Sequence, residues 1–229
     1  MAPVTELISI SLKPDLPSAE ATSVVDATAA TLIEQPGCLR VRKSRLHEDS
    51  NEVRFFADWV DVAAHRTFEK TEVYPPFRAR VVGAVSTPPQ RPYHANFEPY
   101  PPTVLNNTGP DSKTPVAEVI HIWFPADHPE DARQRASASA REFAHKLAQF
   151  AEGMTGETAL GWSVENDIDH DGAPSSVLIS ILGWVSVEAH MKARDHPEFP
   201  KIIPLLRDLE GLKGIEITHV TTTTVEPAK

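Results

Sequence analysis

The hydrophobic pattern of this chain runs through one cycle twice. From Val4 to Leu12 apolar and small residues are nearly continuous, as in a buried strand. After Ser18, Val24, Val25, Ala29, Leu32 and Ile33 follow helical spacing until Pro36-Gly37. Strand patterns from Cys38 to Leu46 and from Val53 to Trp59 flank the polar turn His47-Glu48-Asp49-Ser50-Asn51, which makes a hairpin. Asp61 is placed to cap a helix carrying His65 and Phe68; this helix breaks near Tyr74-Pro75-Pro76 and resumes from Phe77 to Val82. Tyr93 to Phe97 completes a β-α-β-β-α-β unit.

The second cycle keeps this order. A strand at Val119 to Phe124 precedes a helix from Pro129 to Ala151, then hairpin strands at Thr158 to Val164 and Val177 to Trp184. A helix from Ser186 is interrupted at His196-Pro197 and ends at Leu209, and a strand from Ile215 to Thr224 finishes the unit. Two local echoes align the cycles. Trp59-Val60-Asp61-Val62-Ala63-Ala64-His65 answers Trp184-Val185-Ser186-Val187-Glu188-Ala189-His190, and Glu6-Leu7-Ile8-Ser9-Ile10 answers Glu118-Val119-Ile120-His121-Ile122. Between the cycles, Pro99-Tyr100-Pro101-Pro102 through Gly109-Pro110 has the composition of a semi-rigid linker. This gives a first module at 1–99, a linker at 100–115 and a second module at 116–229.

The strand Val177 to Trp184 hardly alternates, so both of its faces should be buried. Its own helices cover one face. The other module's sheet is the natural cover for the second, which predicts an α+β fold of tandem ferredoxin-like modules packed sheet to sheet. Twisted sheets joined in this way form a pseudo-dimeric barrel with a cavity between them.

Bulk properties narrow the function. The 229 residues suit two domains near 100 residues each, and 41% hydrophobic with 24% charged residues is ordinary globular composition. A formal charge of -10 argues against nucleic acid and anionic membrane as partners, since Arg40-Val41-Arg42-Lys43-Ser44-Arg45 alternates like one solvated strand face. With no basic leader before an apolar run and no bilayer-length segment, the protein is expected to be soluble and cytoplasmic. On that expectation the glycosylation pattern Asn106-Asn107-Thr108 is set aside. Cys38 is the only cysteine, so an intrachain disulfide and a thiolate zinc site are excluded.

Trp184, Glu188-Ala189-His190 and His196-Pro197-Glu198-Phe199-Pro200-Lys201-Ile202-Ile203 resemble the C-terminal half of the dimeric α+β barrel superfamily, in particular its antibiotic-biosynthesis-monooxygenase (ABM) type. Trp59 through His65, with Thr71-Glu72-Val73-Tyr74-Pro75-Pro76-Phe77, resembles the same segment in a weaker form. Family members mostly carry one module and dimerise, so the resemblance implies a fused pair. Cofactor-free oxygenation, polyketide cyclisation, decarboxylation or dehydration, lactone isomerisation and haem-linked reactions all occur on this fold, so fold alone does not choose among them.

His65 and His190 lie one turn into a helix that starts at a strand end, from which they could reach a cavity or simply pack the helix start. The His196-Pro197 motif resembles that of the polyketide-cyclase branch, where histidine and tyrosine act on a bound polyketide; Tyr74-Pro75 is the first module's counterpart. Such groups suit proton transfer during enolisation, whereas a proline kink could equally leave His196 in water. His121 and His219, on neighbouring strands, either face the cavity or pack as hydrogen-bonded core residues, and His94 is the counterpart of His219. Without a placed carboxylate they make a poor metal site. Asp167-Ile168-Asp169-His170-Asp171-Gly172 opens like a calcium loop, but its twelfth position is Leu178, so a solvated hairpin tip is expected.

The reading is a tailoring enzyme of secondary metabolism needing no nicotinamide, flavin or metal. It would act on a hydrophobic aromatic or polyketide-like molecule, by oxygenation through a substrate carbanion. Cyclisation, isomerisation or decarboxylation by the same base is the alternative within enzymes, and a non-catalytic carrier or stress-related barrel is the alternative outside them. His196, His190, His65 and Tyr74 are the expected catalytic groups. Trp59, Trp184, His121, His219, Phe55 and Phe124 are expected to contact substrate, in a cavity wall that also takes in Ile8, Ile10, Ile120, Ile122 and Ile179. Beyond the internal pseudo-dimer, a homodimer is possible on this reading.

Overall fold

A computed structural model describes residues 2–110 and 112–227. The outer limits of the expected modules, Met1 and Lys229, and Asp111 of the expected linker lie outside the described residues. The first module comprises β1 (Val4–Ser11), α1 (Ser18–Ile33), β2 (Cys38–Arg45), β3 (Glu52–Trp59), α2 (Val62–Phe68), α3 (Tyr74–Ala84) and β4 (Tyr93–Glu98). The second comprises β5 (Val116–Pro125), α4 (Glu130–Leu147), β6 (Met154–Ser163), β7 (Ile168–His170), β8 (Ala173–Trp184), α5 (Val187–Arg194), α6 (Phe199–Ile202), α7 (Pro204–Arg207), β9 (Gly214–Val220) and β10 (Thr223–Val225). This is the doubled α+β order that the hydrophobic pattern predicts. The short strand β7, paired with β8 at the expected hairpin tip, is an addition.

Local chemistry explains the helix starts that matter. Asp61 takes the Ala64 N–H at 2.8 Å and Ser186 takes the Ala189 N–H at 3.2 Å, so α2 and α5 begin at equivalent caps just past the two tryptophans. Ser18, by contrast, is the first residue of α1, and its side chain caps nothing. Gly37 and Gly153 stand at matching places with φ of 88° and 90°. A Cβ there would also approach Ala64 and Ala189 to 2.7 and 2.8 Å, so each glycine lets its module's second helix pack tightly against the chain.

The modules meet through hydrogen-bonded seams as well as through packed faces. The last strand of each module pairs with the second strand of the other. Ala95, Asn96, Phe97 and Glu98 of β4 lie opposite Ser163, Trp162, Gly161 and Leu160 of β6, while β10 lies along β2 from Thr223↔Lys43 to Val225↔Val41. A bridge from Leu46 to Val220 extends the second seam. Because β9 also pairs with β5, the final segment closes a sheet of order β10-β2-β3-β1-β4-β6-β8-β5-β9 on itself. Gly161 permits the β4–β6 seam, since a Cβ there would lie 2.5 Å from the Asn96 carbonyl oxygen.

Strand alternation then sorts side chains into three layers. Leu7, Phe56, Phe97, Val119, Ile179 and Ile181 pack with one another inside the barrel, drawn from both modules. Trp59, Phe55, Ile10 and Val41 face α1–α3, and Trp184, Ile120, Phe124 and Leu178 face α4–α7. The segment expected to be a linker is part of the interior core. Val104 and Leu105, in a single 3₁₀ turn at Thr103–Leu105, are fully buried within it. Asn107 fixes this plug by donating to the Val104 and Thr114 carbonyls and accepting from the Thr222 N–H.

Candidate active site

The two histidines of the Trp-to-His echo each sit at the centre of a buried polar relay, and the two relays match group for group. In the second module the Trp184 indole N–H donates to Glu118 at 2.8 Å, and the other Glu118 oxygen lies 3.4 Å from His190 Nε2. His190 Nδ1 is 2.7 Å from His219 Nε2, and His219 Nδ1 is 2.5 Å from Glu48. In the first module Trp59 donates to Glu6 at 2.8 Å, Glu6 lies 3.2 Å from His65 Nε2, His65 Nδ1 is 2.8 Å from His94 Nε2, and His94 Nδ1 is 2.7 Å from Glu165. Each relay ends on a carboxylate from the other module. The His94 and His219 backbone N–H groups bind the same carboxylates, so ring and main chain are held together.

Hydrogen-bond direction follows from these contacts. Glu165 and Glu48 are held below the usual carboxylate range: burial opposes this, but the bonds from His94 and His219 outweigh it, and Glu165 falls to about 2. Each terminal carboxylate therefore accepts the Nδ1–H of its histidine, and in the tautomer with one ring proton the Nε2 of that histidine accepts in turn from the Nδ1–H of His65 or His190. That leaves Nε2 of His65 and His190 as acceptors facing Glu6 and Glu118. A carboxylate there would repel the lone pair, whereas a carboxylic acid donates to it. Burial supplies the acid form, pushing Glu6 and Glu118 each up to about 7 and pulling His65 down to about 3 and His190 to about 4. Below about pH 7 each relay thus holds a neutral acid at its inner end and a carboxylate at its outer end.

The modules differ in what lies above the relay. In the second, Glu118 and His190 line a partly open pocket of about 120 Å³ between sheet and helices, walled by Ile120, Phe143, Phe199, Ile203, Leu206 and the β9 isoleucines, with Arg194 and Arg207 at its edge. A constant offset of 125 (184 − 59 and 190 − 65) maps Ala193 onto Phe68. The Phe68 ring is buried, stacks on Trp59 at 6.4 Å and meets Tyr74 and Phe77 edge-on at 5.3 and 5.4 Å, so aromatic side chains occupy this corner of the first module.

The structure redistributes the residues singled out from sequence. His65, His190 and His219 come together with carboxylates, and so does His94. Trp59 and Trp184 join them as donors to the inner acids. These groups and Phe55, Phe124, Ile8, Ile10, Ile120 and Ile122 face the helices and not the barrel interior, a correction to the expected inner wall; of that wall only Ile179 and His121 point inward. Tyr74 is half-buried against Phe68, its phenol pushed up by burial. His196 is exposed: it stacks on Phe150 at 4.6 Å and accepts the Glu198 N–H at 3.2 Å, so the proline holds it at a helix start and away from the pocket. His121 does face inward, at one barrel mouth beside Trp123, Tyr93, Arg54 and Glu216, in a polar hollow of about 490 Å³. The surrounding protein pulls its pKa down to about 3. The hairpin tip Asp169, His170, Asp171 and Gly172 borders the same hollow. Among the described residues no group of three or more His, Cys, Asp or Glu is arranged to hold a metal ion, and no helix is long and apolar enough to cross a membrane.

The sequence alone did not single out Glu6, Glu118, Glu48 and Glu165 as partners of the buried tryptophans and histidines. Glu6 and Glu118 open the second echo, so a signal was present.

Comparison with known proteins agrees with the doubled architecture. The family model described as Antibiotic biosynthesis monooxygenase matches residues 3–80, within the first module. No curated protein matches the chain. Among solved structures, an anthrone oxidase-like protein is similar at 12% identity, covering 100% of this chain and 95% of its own, with a TM-score of 0.68. A candidate monooxygenase from Fusobacterium nucleatum is similar at 9% identity over 99% and 95%, TM-score 0.59, and another from Lactobacillus acidophilus at 10% over 99% and 97%, TM-score 0.55. At these identities the likeness is one of fold. It extends end to end, so two modules in one chain are a recurring architecture.

Proposed function

We propose, from the premise that this chain is an ABM-like protein of two fused α+β barrel modules, that it is a cofactor-independent monooxygenase of secondary metabolism. Its substrate is a hydrophobic aromatic or polyketide-like small molecule, taken up in the cytoplasm. The observation that supports this most is the Glu118–His190–His219–Glu48 relay opening on an apolar pocket. One shift along the relay moves the Glu118 proton to His190 Nε2, the His190 Nδ1 proton to His219 and the His219 Nδ1 proton to Glu48. Glu48 is 42% exposed and passes a proton to water. Glu118 is then a carboxylate base in a dry site, able to take a proton from an activated ring carbon or phenol. The resulting carbanion reduces dioxygen, and a carbon–oxygen bond forms as a peroxide. Loss of water leaves a carbonyl, so a ring CH₂ becomes C=O and the second oxygen atom leaves as water. His65 and Glu6 form the matching relay beneath a filled corner, which supports the reading that the second module is the working one.

Oxygen uptake with a single-ring dihydroxyaromatic substrate, using protein free of flavin, haem and transition metal, tests this reading. Glu118→Gln and His190→Ala should each lose on the order of 10²–10⁴ in rate, Glu6→Gln should lose less, and the surface variant His196→Ala should match the parent. Turnover that continues without oxygen would replace oxygenation by cyclisation, isomerisation or decarboxylation. Failure of every such molecule to bind would favour a carrier.

A further inference from the structure

The pocket of the second module carries a charge asymmetry that proton abstraction alone does not require. Its walls are apolar, yet Arg194 and Arg207 stand at its edge, and among the described residues neither forms an ion pair. Seven of the thirteen arginines of this acidic chain are ion-paired, as Arg42 is with Asp58, Arg54 with Glu52, Arg66 with Glu69, Arg91 with Asp167 and Arg141 with Glu98. The offset of 125 that relates the modules places Glu69 and Val82 where the second module has Arg194 and Arg207. The positive edge therefore accompanies the open pocket and is missing where aromatic rings fill the corner.

Size narrows the ligand further. About 120 Å³ is close to the roughly 150 Å³ apolar cavity that accommodates a benzene ring. A flat molecule of three fused rings needs considerably more. Taking the pocket as the catalytic site proposed above, we infer that its substrate is a single-ring aromatic acid, with the ring over Glu118 and His190 and the carboxylate held by Arg194 and Arg207. A guanidinium pairs with a carboxylate through two parallel N–H donors, which fixes orientation as well as affinity. The neutral acid form of Glu118 suits this occupant, because an ionised floor would repel an incoming anion. With its carboxylate at the edge, the ring turns its far carbons toward the Glu118 oxygen that must receive the proton.

Calorimetric titration at low ionic strength, with 2,4-dihydroxybenzoate and its uncharged counterpart resorcinol as probes, tests the inference independently of turnover. The acid should bind one per chain and at least about tenfold tighter than resorcinol, as expected for charge-assisted hydrogen bonds. Arg194→Gln/Arg207→Gln should erase that preference while leaving resorcinol affinity and the unfolding midpoint unchanged, since both side chains are exposed. Added salt should weaken only the acid. Equal affinity for the two probes, a preference that survives in the double variant, or binding of neither would overturn the inference. Glu118→Gln separates it from the catalytic reading. Acid preference with normal turnover in Glu118→Gln would remove the base and keep the anion hook, whereas lost turnover without acid preference would do the reverse.

Discussion

At Glu118 and His190 two buried groups titrate against each other's comfort. Glu118 keeps its proton in the fold up to about 7 but releases it near 4.5 in the unfolded chain, so it withdraws stability as pH rises through that interval. His190 refuses a proton in the fold until about 4 but accepts one near 6.5 when unfolded, so it withdraws stability as pH falls from 6.5 toward 4. Between 4.5 and 6.5 the slopes oppose each other. Glu6 and His65 add a second pair with the same signs. Glu118→Gln removes only the carboxyl's share, so its melting temperature should climb more steeply with pH between 4.5 and 6.5 than the parent's. Parallel melting curves across that range in scanning calorimetry would contradict the proton placement.

At the scale of elements, α2 and α5 show how one helix start can be kept open or filled. Phe68 is buried against Trp59, Tyr74 and Phe77, and Phe68→Ala should cost about 3–5 kcal/mol in urea denaturation, the usual range for a buried aromatic. A cost well below 1 kcal/mol would mean that the corner is not closed by this ring. The order of elements was readable because strand and helix periods differ and because Asp61 and Ser186 are capping residues at the predicted places. Which strand face turns inward was not readable. A strand such as β8, buried on both sides, carries no alternation to betray it, so Trp184 could be assigned to either layer until its register with β5 was known. The relay was half-legible: its Trp and His stood in one echo and its inner Glu in the other. Glu48 and Glu165 were hidden because they lie in turns 171 and 71 residues from the histidines they serve. His196 misled because a His-Pro pair has one appearance in sequence whether it lines a pocket or stacks on a surface ring such as Phe150.

The whole molecule closes only when both modules are present. Two seams, a shared interior layer and the buried turn at Val104 and Leu105 leave neither half with a complete core. Heating should therefore give one cooperative transition, with calorimetric and van't Hoff enthalpies equal, as two-state unfolding requires. Two resolved transitions would show that the modules fold independently.

The exchanged carboxylates also bear on inheritance. A fused gene ordinarily frees one copy to drift while the other keeps the trade. Here the turn that carries Glu48 belongs to the half whose own corner is filled, so that half remains answerable for the chemistry of its twin. An insertion in the turn after β2 would strike His219 and, through it, His190. The helix layer, where Phe68 and Ala193 differ between the halves, is free of this tie, whereas the hairpin tips that the two halves lend each other are not.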